Sequence, residues 1–316
     1  MNTRKKIIVI GGGAIGLSTA YYLNKSGHEV TVLDNSPKIS NCSFGNAGMV
    51  VPSHFIPLAA PGVVWQGLKW LFNPESPFSI KPSLDIQLLS WLFHFYKASK
   101  AKHVKQTMTL LYQLNKASSE LFKELNKELD FDYESKGLVI LANSKKGLKH
   151  ELVNLTLAKS LGQPVDLLTI SDVRDLLGQD QLTIEGGVHY KEDGHLNPIT
   201  YMSNLEKHLN HNGVNFHKST EILEITSDKS TITGITTSTG NFSADEYVLS
   251  AGAWSAKLVK ELGVNLHLAP GKGYSFTLNN PQKPIFATNH SCRGQSCYHS
   301  FKNTLRFAGT MEVWRI

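Results

Sequence analysis

Gly11-Gly12-Gly13-Ala14-Ile15-Gly16 has the spacing G-x-G-x-x-G, and an acid, Asp34, follows one strand later. Each residue type suits the handling of a phosphorylated ligand. Gly11 permits a tight turn, Gly13 lets backbone approach a pyrophosphate, and Gly16 lets helix and strand pack closely. A helix starting there presents free N–H groups and the positive end of its dipole to phosphate charge. Asp34 is placed to accept hydrogen bonds from a ribose diol and would repel the extra phosphate of NADP. The alternative is a glycine-rich turn with no ligand. Strand, glycines, helix, strand and acid in that order favour a dinucleotide, without saying which one.

A second group lies in the long Ser-, Asn-, Gly- and Pro-rich stretch 35–60, at Asn41-Cys42-Ser43-Phe44-Gly45-Asn46-Ala47-Gly48. Its small side chains suit close approach of backbone to a flat ligand; the alternative is a plain surface loop. A third is the turn Ala251-Gly252-Ala253-Trp254-Ser255 after the strand Glu246–Ser250. Open α/β sheets bind ligands along the carboxyl edge of their strands, so a second small-residue turn there favours a large dinucleotide. Cys292 and Cys297, flanked by His290 and His299, invite a metal reading. Their spacing is wrong for a Cys-x-x-Cys pair and no second pair exists, so no metal is expected.

The elements that must position these groups follow from hydrophobic rhythm. Ile7–Ile10 is a wholly apolar strand of the kind buried on both faces of a parallel sheet. The next helix offers Ile15, Ala20, Tyr21 and Leu23 for packing, stops at Gly27, and leads to the strand His28–Leu33. Trp65–Phe72 and Ile86–Tyr96 are apolar helical stretches, the second followed by Lys97, Lys100, Lys102 and Lys105. They read as core helices with a solvated end; the alternative is contact with a membrane surface. Val104, Met108, Leu111, Ser118, Leu121, Leu125 and Leu129 make a helical packing face. Beyond Gly137 come a strand at 138–141, a helix at 148–161, a short helix 172–177 capped by Ser171, and a strand at 186–190. A helix opened by Pro198 follows, and then several strands between Val214 and Ser250.

The 316 residues allow two domains, with 41% hydrophobic and 18% charged residues, which is ordinary for a chain with a real core. A net charge of +6 and a pI near 9.0 point weakly to an acidic partner. There is no Lys/Arg block or aromatic–basic interleaving, so nucleic acid is not expected. Three cysteines make no disulfide framework and fit a reducing cytoplasmic setting. Arg4-Lys5-Lys6 before an apolar run imitates a signal peptide, but glycines interrupt the run and no cleavage site follows. Neither export nor a spanning helix is expected.

Taken with Ala60-Pro61-Gly62, Asp193-Gly194-His195-Leu196-Asn197-Pro198, Gly271-Lys272-Gly273-Tyr274-Ser275 and Leu305–Glu312, these motifs resemble the FAD-dependent D-amino-acid dehydrogenase family. The matches run through nearly the whole chain, and Ser43–Gly48 is the most specific. The resemblance implies an α/β fold: a discontinuous Rossmann-type FAD-binding domain at 1–79 and 195–262, and a β-rich α+β substrate domain at 80–194 and 263–316. It implies oxidative deamination of a D-amino acid, with the Cα hydrogen leaving as hydride to flavin N5. The imino acid would be hydrolysed to a 2-oxo acid and ammonia, and the electrons would pass to a quinone-type acceptor. That acceptor gives weight to a peripheral position on the cytoplasmic face of the inner membrane. The implied cofactor contacts are Gly11, Gly13, Ala14, Ile15, Gly16, Asp34, Asn35, Ser43, Asn46, Ala47, Gly48, Met49, Ile222, Ala251, Gly252 and Trp254. Among them, Ala47–Met49 would lie near the isoalloxazine ring and the Ile222 backbone near the adenine. Tyr274 and Arg306 are the candidate substrate contacts, against plain roles as a packed tyrosine and a solvated arginine.

Members of that family continue past the position of Ile316 with a segment carrying Gly-x-Arg-Pro, so the sequence reads as C-terminally truncated, with weakened flavin binding and turnover expected. Two other functions share the motifs: a glycine- or sarcosine-type amine oxidase, and a non-catalytic remnant that binds FAD.

Overall fold

The computed structural model describes residues 3–37, 41–70, 78–80, 86–178, 182–281, 288–291, 297–301 and 304–313. They fall into two compact units. One comprises the residues up to Gly45 together with Pro198–Pro270; the other comprises Asn46–Asn197 and the residues from Gly271 onward.

In the first unit, β1 (Lys6–Ile10) lies parallel to β2 (Glu29–Leu33) on one edge and to Glu246–Leu249 on the other. Asn215–His217 extends the sheet beyond β2, also in parallel. Ile7, Ile8, Val9 and Ile10 are all buried, as four successive apolar residues require when both faces of a strand are covered. Helix α1 (Ala14–Lys25) buries Gly16, Leu17, Ala20 and Tyr21. Ile15 does not share that face: it precedes Gly16 by about 100° of helical rotation and is exposed. The Pro198–His211 helix buries Tyr201, Met202, Leu205 and Leu209, and the Tyr201 hydroxyl lies 2.6 Å from Ser18 Oγ on α1. An antiparallel meander, Ile222–Asp228, Thr231–Thr237 and Gly240–Phe242, contributes Ile225 and Ile235 to a core with Ile8, Ile10 and Leu33.

The second unit is built on a mixed sheet. Among the described residues its order is Gly271–Asn279, Thr304–Val313, Cys297–Phe301, Thr288–Ser291, Leu138–Ala142, Gly186–Tyr190, Val165–Leu168, with Phe78–Ile80 alongside Thr304–Val313. Phe55, Met108, Tyr112, Leu155, Ala158, Val165, Val188 and Tyr190 form a core here. Hydrophobic rhythm puts the first domain boundary at 79, whereas the fold puts it after Gly45. Met49–Val50 pairs with Gly194–His195, and Phe78–Ile80 pairs with Met311–Val313. Pairings so distant in sequence leave no trace in local periodicity.

Three helices depart from expectation. The Ile170–Leu177 helix is capped by Thr169, not Ser171; Thr169 and Asp172 form a capping box, with Thr169 Oγ1 accepting from the Asp172 N–H and the Asp172 carboxylate accepting from the Thr169 N–H. The helix Ala101–Leu129 buries Met108, Tyr112, Ser119, Leu125 and Leu129, while Leu121 faces out. The polar Ser119 holds the buried stripe because its hydroxyl meets Tyr133 Oη at 3.1 Å. The helix Ile86–Ala98 is not a core helix, since none of its residues is buried. The adjoining Val63–Trp70 helix exposes Trp65; the side chains of Leu68 and Trp70, and Leu71 itself, lie outside the described residues. No helix among the described residues is long and apolar enough to cross a membrane.

Candidate functional site

The glycine turn leaves β1 with Gly11 at φ +105°, its N–H donating to Leu33 O at 2.8 Å. A Cβ on Gly11 would sit 2.5 Å from Ser250 O, and one on Gly16 would sit 1.8 Å from Gly11 O. These two glycines are therefore required by the turn and by the approach of α1 to β1. Gly13 is different. A Cβ there would meet only Ser43 Oγ, at 3.4 Å, so this side of the turn keeps room for a ligand.

Helix α1 starts at Gly13 with no side-chain cap from its own residue. The Ser43 hydroxyl supplies one from a distant loop, accepting from the Ala14 N–H at 2.9 Å. Asn41 fastens that loop, donating through Nδ2 to Gly12 O at 2.9 Å and accepting from the Ser43 N–H at 3.1 Å. The Asp34 carboxylate accepts from the Gly12 N–H at 2.6 Å and from the Ser36 N–H at 2.8 Å. One backbone donor on each oxygen leaves acceptor capacity, since a carboxylate offers about four lone-pair sites. Ser250 Oγ closes the other side, donating toward Ile10 O at 2.8 Å and Gly11 O at 3.2 Å.

Fold and sequence agree on grouping Gly11, Gly13, Ala14, Gly16, Asp34 and Ser43, and Ala251 lies against Gly11. Asn35 is exposed beside Asp34. Gly252 takes φ +55°, and Trp254 and Ile15 are largely exposed. Ile222 opens the meander, its side chain packed against the core of Ile8 and Leu33.

Asn46, Ala47, Gly48 and Met49 belong to the second unit, where the segment is held at three places. Gly48 takes φ +73°; its N–H donates to Asn46 Oδ1 at 2.5 Å, and its carbonyl accepts from the Leu196 N–H at 2.8 Å. Met49 and Val50 pair with His195 and Gly194. Just beyond, the fully buried Asp193 carboxylate accepts from the Ser53 N–H at 3.0 Å and from Ser53 Oγ at 2.5 Å. Burial pushes the Asp193 carboxyl up to about 7, against the pull of both Ser53 bonds; Glu192 adds to the rise.

Arg306 makes the third attachment. Only 6% exposed, it donates from Nη1 to Asn46 O at 2.8 Å and from Nε to Thr277 Oγ1 at 3.0 Å. Burial pulls its guanidinium below the usual value. A solvated strand arginine is thus excluded. Tyr274 lies elsewhere. Arg306 is the cross-strand partner of Thr277, and neighbouring residues of a strand alternate between faces. Tyr274, three positions from Thr277, is therefore on the opposite face with Phe276 and Leu278, all exposed. Its hydroxyl is 3.4 Å from Glu312 Oε2, and Lys272 Nζ lies 4.9 Å from its ring centre. The two candidate substrate residues are not brought together.

Asn41, Ser250 and Asp193 carry site contacts that residue-by-residue reading of the motifs passed over, although each lies within or beside a quoted motif. Thr277 and Ser53 left no signal. Cys292 and the side chains of His290, Cys297 and His299 lie outside the described residues.

Residues 6–315 match the family of FAD dependent oxidoreductases known as DAO. The chain belongs to this family. It is 30% identical to a D-amino acid dehydrogenase of Bradyrhizobium diazoefficiens, over 98% of this chain and 75% of that protein. A D-amino acid dehydrogenase of Vibrio cholerae is 29% identical with the same coverage. The crystal structure of glycine oxidase from Geobacillus kaustophilus superposes with a TM-score of 0.72 at 21% identity, over 99% of this chain and 73% of that one. The protein is an FAD-dependent amino-acid or amine oxidoreductase with the family's α/β fold. The turn fits the cofactor. Gly11 and Gly16 are closed against backbone, the Gly13 side is open, and the N-terminal end of α1 faces it.

Proposed function

We propose that this oxidoreductase deaminates a D-amino acid and passes the electrons to a quinone-type acceptor. The observation that carries the substrate class is correspondence with D-amino acid dehydrogenases along almost the entire chain. The substrate loses its Cα hydrogen with two electrons and a proton from nitrogen; water hydrolyses the imino acid to a 2-oxo acid and ammonia. Bound FAD supplies the two-electron sink, at N5, for that hydrogen leaving as hydride.

The chain's own residues bind and orient. The α1 terminus and the Gly11–Gly16 turn hold the pyrophosphate, and Asp34 holds the adenosine ribose. The open backbone of Ala47, Gly48 and Met49 is assigned to the ring system. Arg306 has both of its observed donors turned to protein acceptors at Asn46 and Thr277. We therefore assign it to holding that segment rather than to gripping the substrate carboxylate. Fixing a reacting geometry in this way is where such a site gains rate.

The test compares D-alanine, L-alanine, glycine and sarcosine on the flavin-loaded chain, following dye reduction without oxygen and peroxide formation with it. Dye reduction by the D-amino acid with little peroxide is the expected result. Peroxide formed chiefly from glycine or sarcosine would make the protein an amine oxidase. A chain that retains flavin and reduces no dye would be a binding remnant.

A further inference from the structure

The exposed side of the Ile86–Ala98 helix is unlike a solvated helix face. At about 100° per residue, Ile86, Leu89, Phe93 and Tyr96 share one side, and each is more than half exposed, Ile86 to 81%. Leu88, Trp91, Leu92 and Phe95 lie on the other side and are half-buried, with Trp91 and Phe95 in ring contact at 5.0 Å. The helix therefore rests on protein with one apolar face and presents a second apolar face outward. At about 1.5 Å per residue its 13 residues cover roughly 20 Å, short of the roughly 30 Å hydrocarbon thickness of a bilayer.

Charge says what covers that face. From Ile86 through Ser119 there is no aspartate or glutamate, while Lys97, Lys100, Lys102, Lys105 and Lys116 fall in the same stretch. Lys97 follows Phe93 by one turn, its ammonium 4.4 Å from the Phe93 ring centre. Lys100, Lys102 and Lys105 are exposed at the start of the next helix; Lys116 is paired with Glu192. A second copy of the chain in a two-fold contact would set this acid-free segment against itself, and like charges would oppose it. An anionic lipid surface satisfies both features, taking the apolar stripe between its headgroups and the lysines at its phosphates.

We infer that the Ile86–Ala98 helix lies in the interface of an anionic bilayer, with Ile86, Leu89, Phe93 and Tyr96 inserted and Lys97, Lys100 and Lys102 on the headgroups. The inference suits an acceptor dissolved in the membrane but rests on the exposed residues alone, and its test does not involve turnover. The full chain is sedimented with vesicles of phosphatidylcholine, with and without 30% phosphatidylglycerol as a roughly physiological anionic fraction. Binding is expected to the anionic vesicles, weaker in high salt, and much weaker to pure phosphatidylcholine. The triple variant Lys97→Gln, Lys100→Gln, Lys102→Gln should lose about a hundredfold in partitioning, at about fivefold per lysine. Leu89→Gln with Phe93→Gln should release the protein from vesicles while leaving the melting temperature unchanged, because both side chains are exposed. Equal binding by the parent chain and both variants would overturn the inference. So would failure to bind anionic vesicles. Self-association without lipid that the Leu89/Phe93 variant abolishes would assign the face to a second copy instead.

Discussion

Replacing Asp193 by Asn should remove a pH-dependent burden on the fold. The Asp193 carboxyl is fully buried, and burial lifts it from an ordinary 3.8 to about 7. A raised acid pKa means that the folded state holds a proton that the unfolded state releases. The associated stability is complete below about pH 4 and is lost as pH climbs toward 7, above which an ionised carboxylate sits in the interior. Three pKa units at about 1.4 kcal/mol each make the span about 4 kcal/mol, an upper figure for one group. Asparagine keeps the shape, still accepts the Ser53 N–H, and can donate to Ser53 Oγ. Urea unfolding of parent and Asp193→Asn at pH 5, 6, 7 and 8 gives the comparison. The variant should gain on the parent by about 1 kcal/mol per pH unit up to pH 7 and hold that gain above it. A gap independent of pH would refute the reasoning. A variant that falls behind as pH rises would show that the two Ser53 bonds outweigh burial and that the carboxylate is ionised in the folded protein.

Gly16→Ala should abolish flavin retention, because its Cβ would lie 1.8 Å from Gly11 O and α1 must move off β1. Flavin absorbance per chain measures this, along with a stability loss of about 3 kcal/mol, the upper range for overpacking. Arg306→Ala should lower kcat and alter the flavin spectrum with little change in KM for the amino acid, since it frees Asn46 O and Thr277 Oγ1 from a charged donor. Arg306→Lys should recover part of the loss, limited by the missing planar fork. A KM raised by about a hundredfold at constant kcat would instead make Arg306 a ligand of the substrate, removal of a charged partner being worth about 3 kcal/mol.

The phosphate-binding turn was legible in sequence because every requirement on it is local. Gly11, Gly13 and Gly16 are demanded by one turn and one helix start, and Asp34 by the end of the adjacent strand, so residue type and spacing carry the information. Thr169 shows the limit of such reading. It and Ser171 are equally good caps by type, and the reciprocal bond with Asp172 decides between them.

What only the tertiary structure decided are the attachments between residues far apart in the chain. Ser43 caps α1 across a loop, Ser250 closes the glycine turn, Asp193 clamps Ser53, and Arg306 holds Asn46. An arginine in a strand has the same sequence signature whether it faces water or a buried carbonyl. Likewise an apolar helix such as Ile86–Ala98 reads as core until its neighbours show which face they leave uncovered. Hydrophobic periodicity records that a side chain prefers to leave water. It does not record which surface receives it, and long-range pairing supplies that answer.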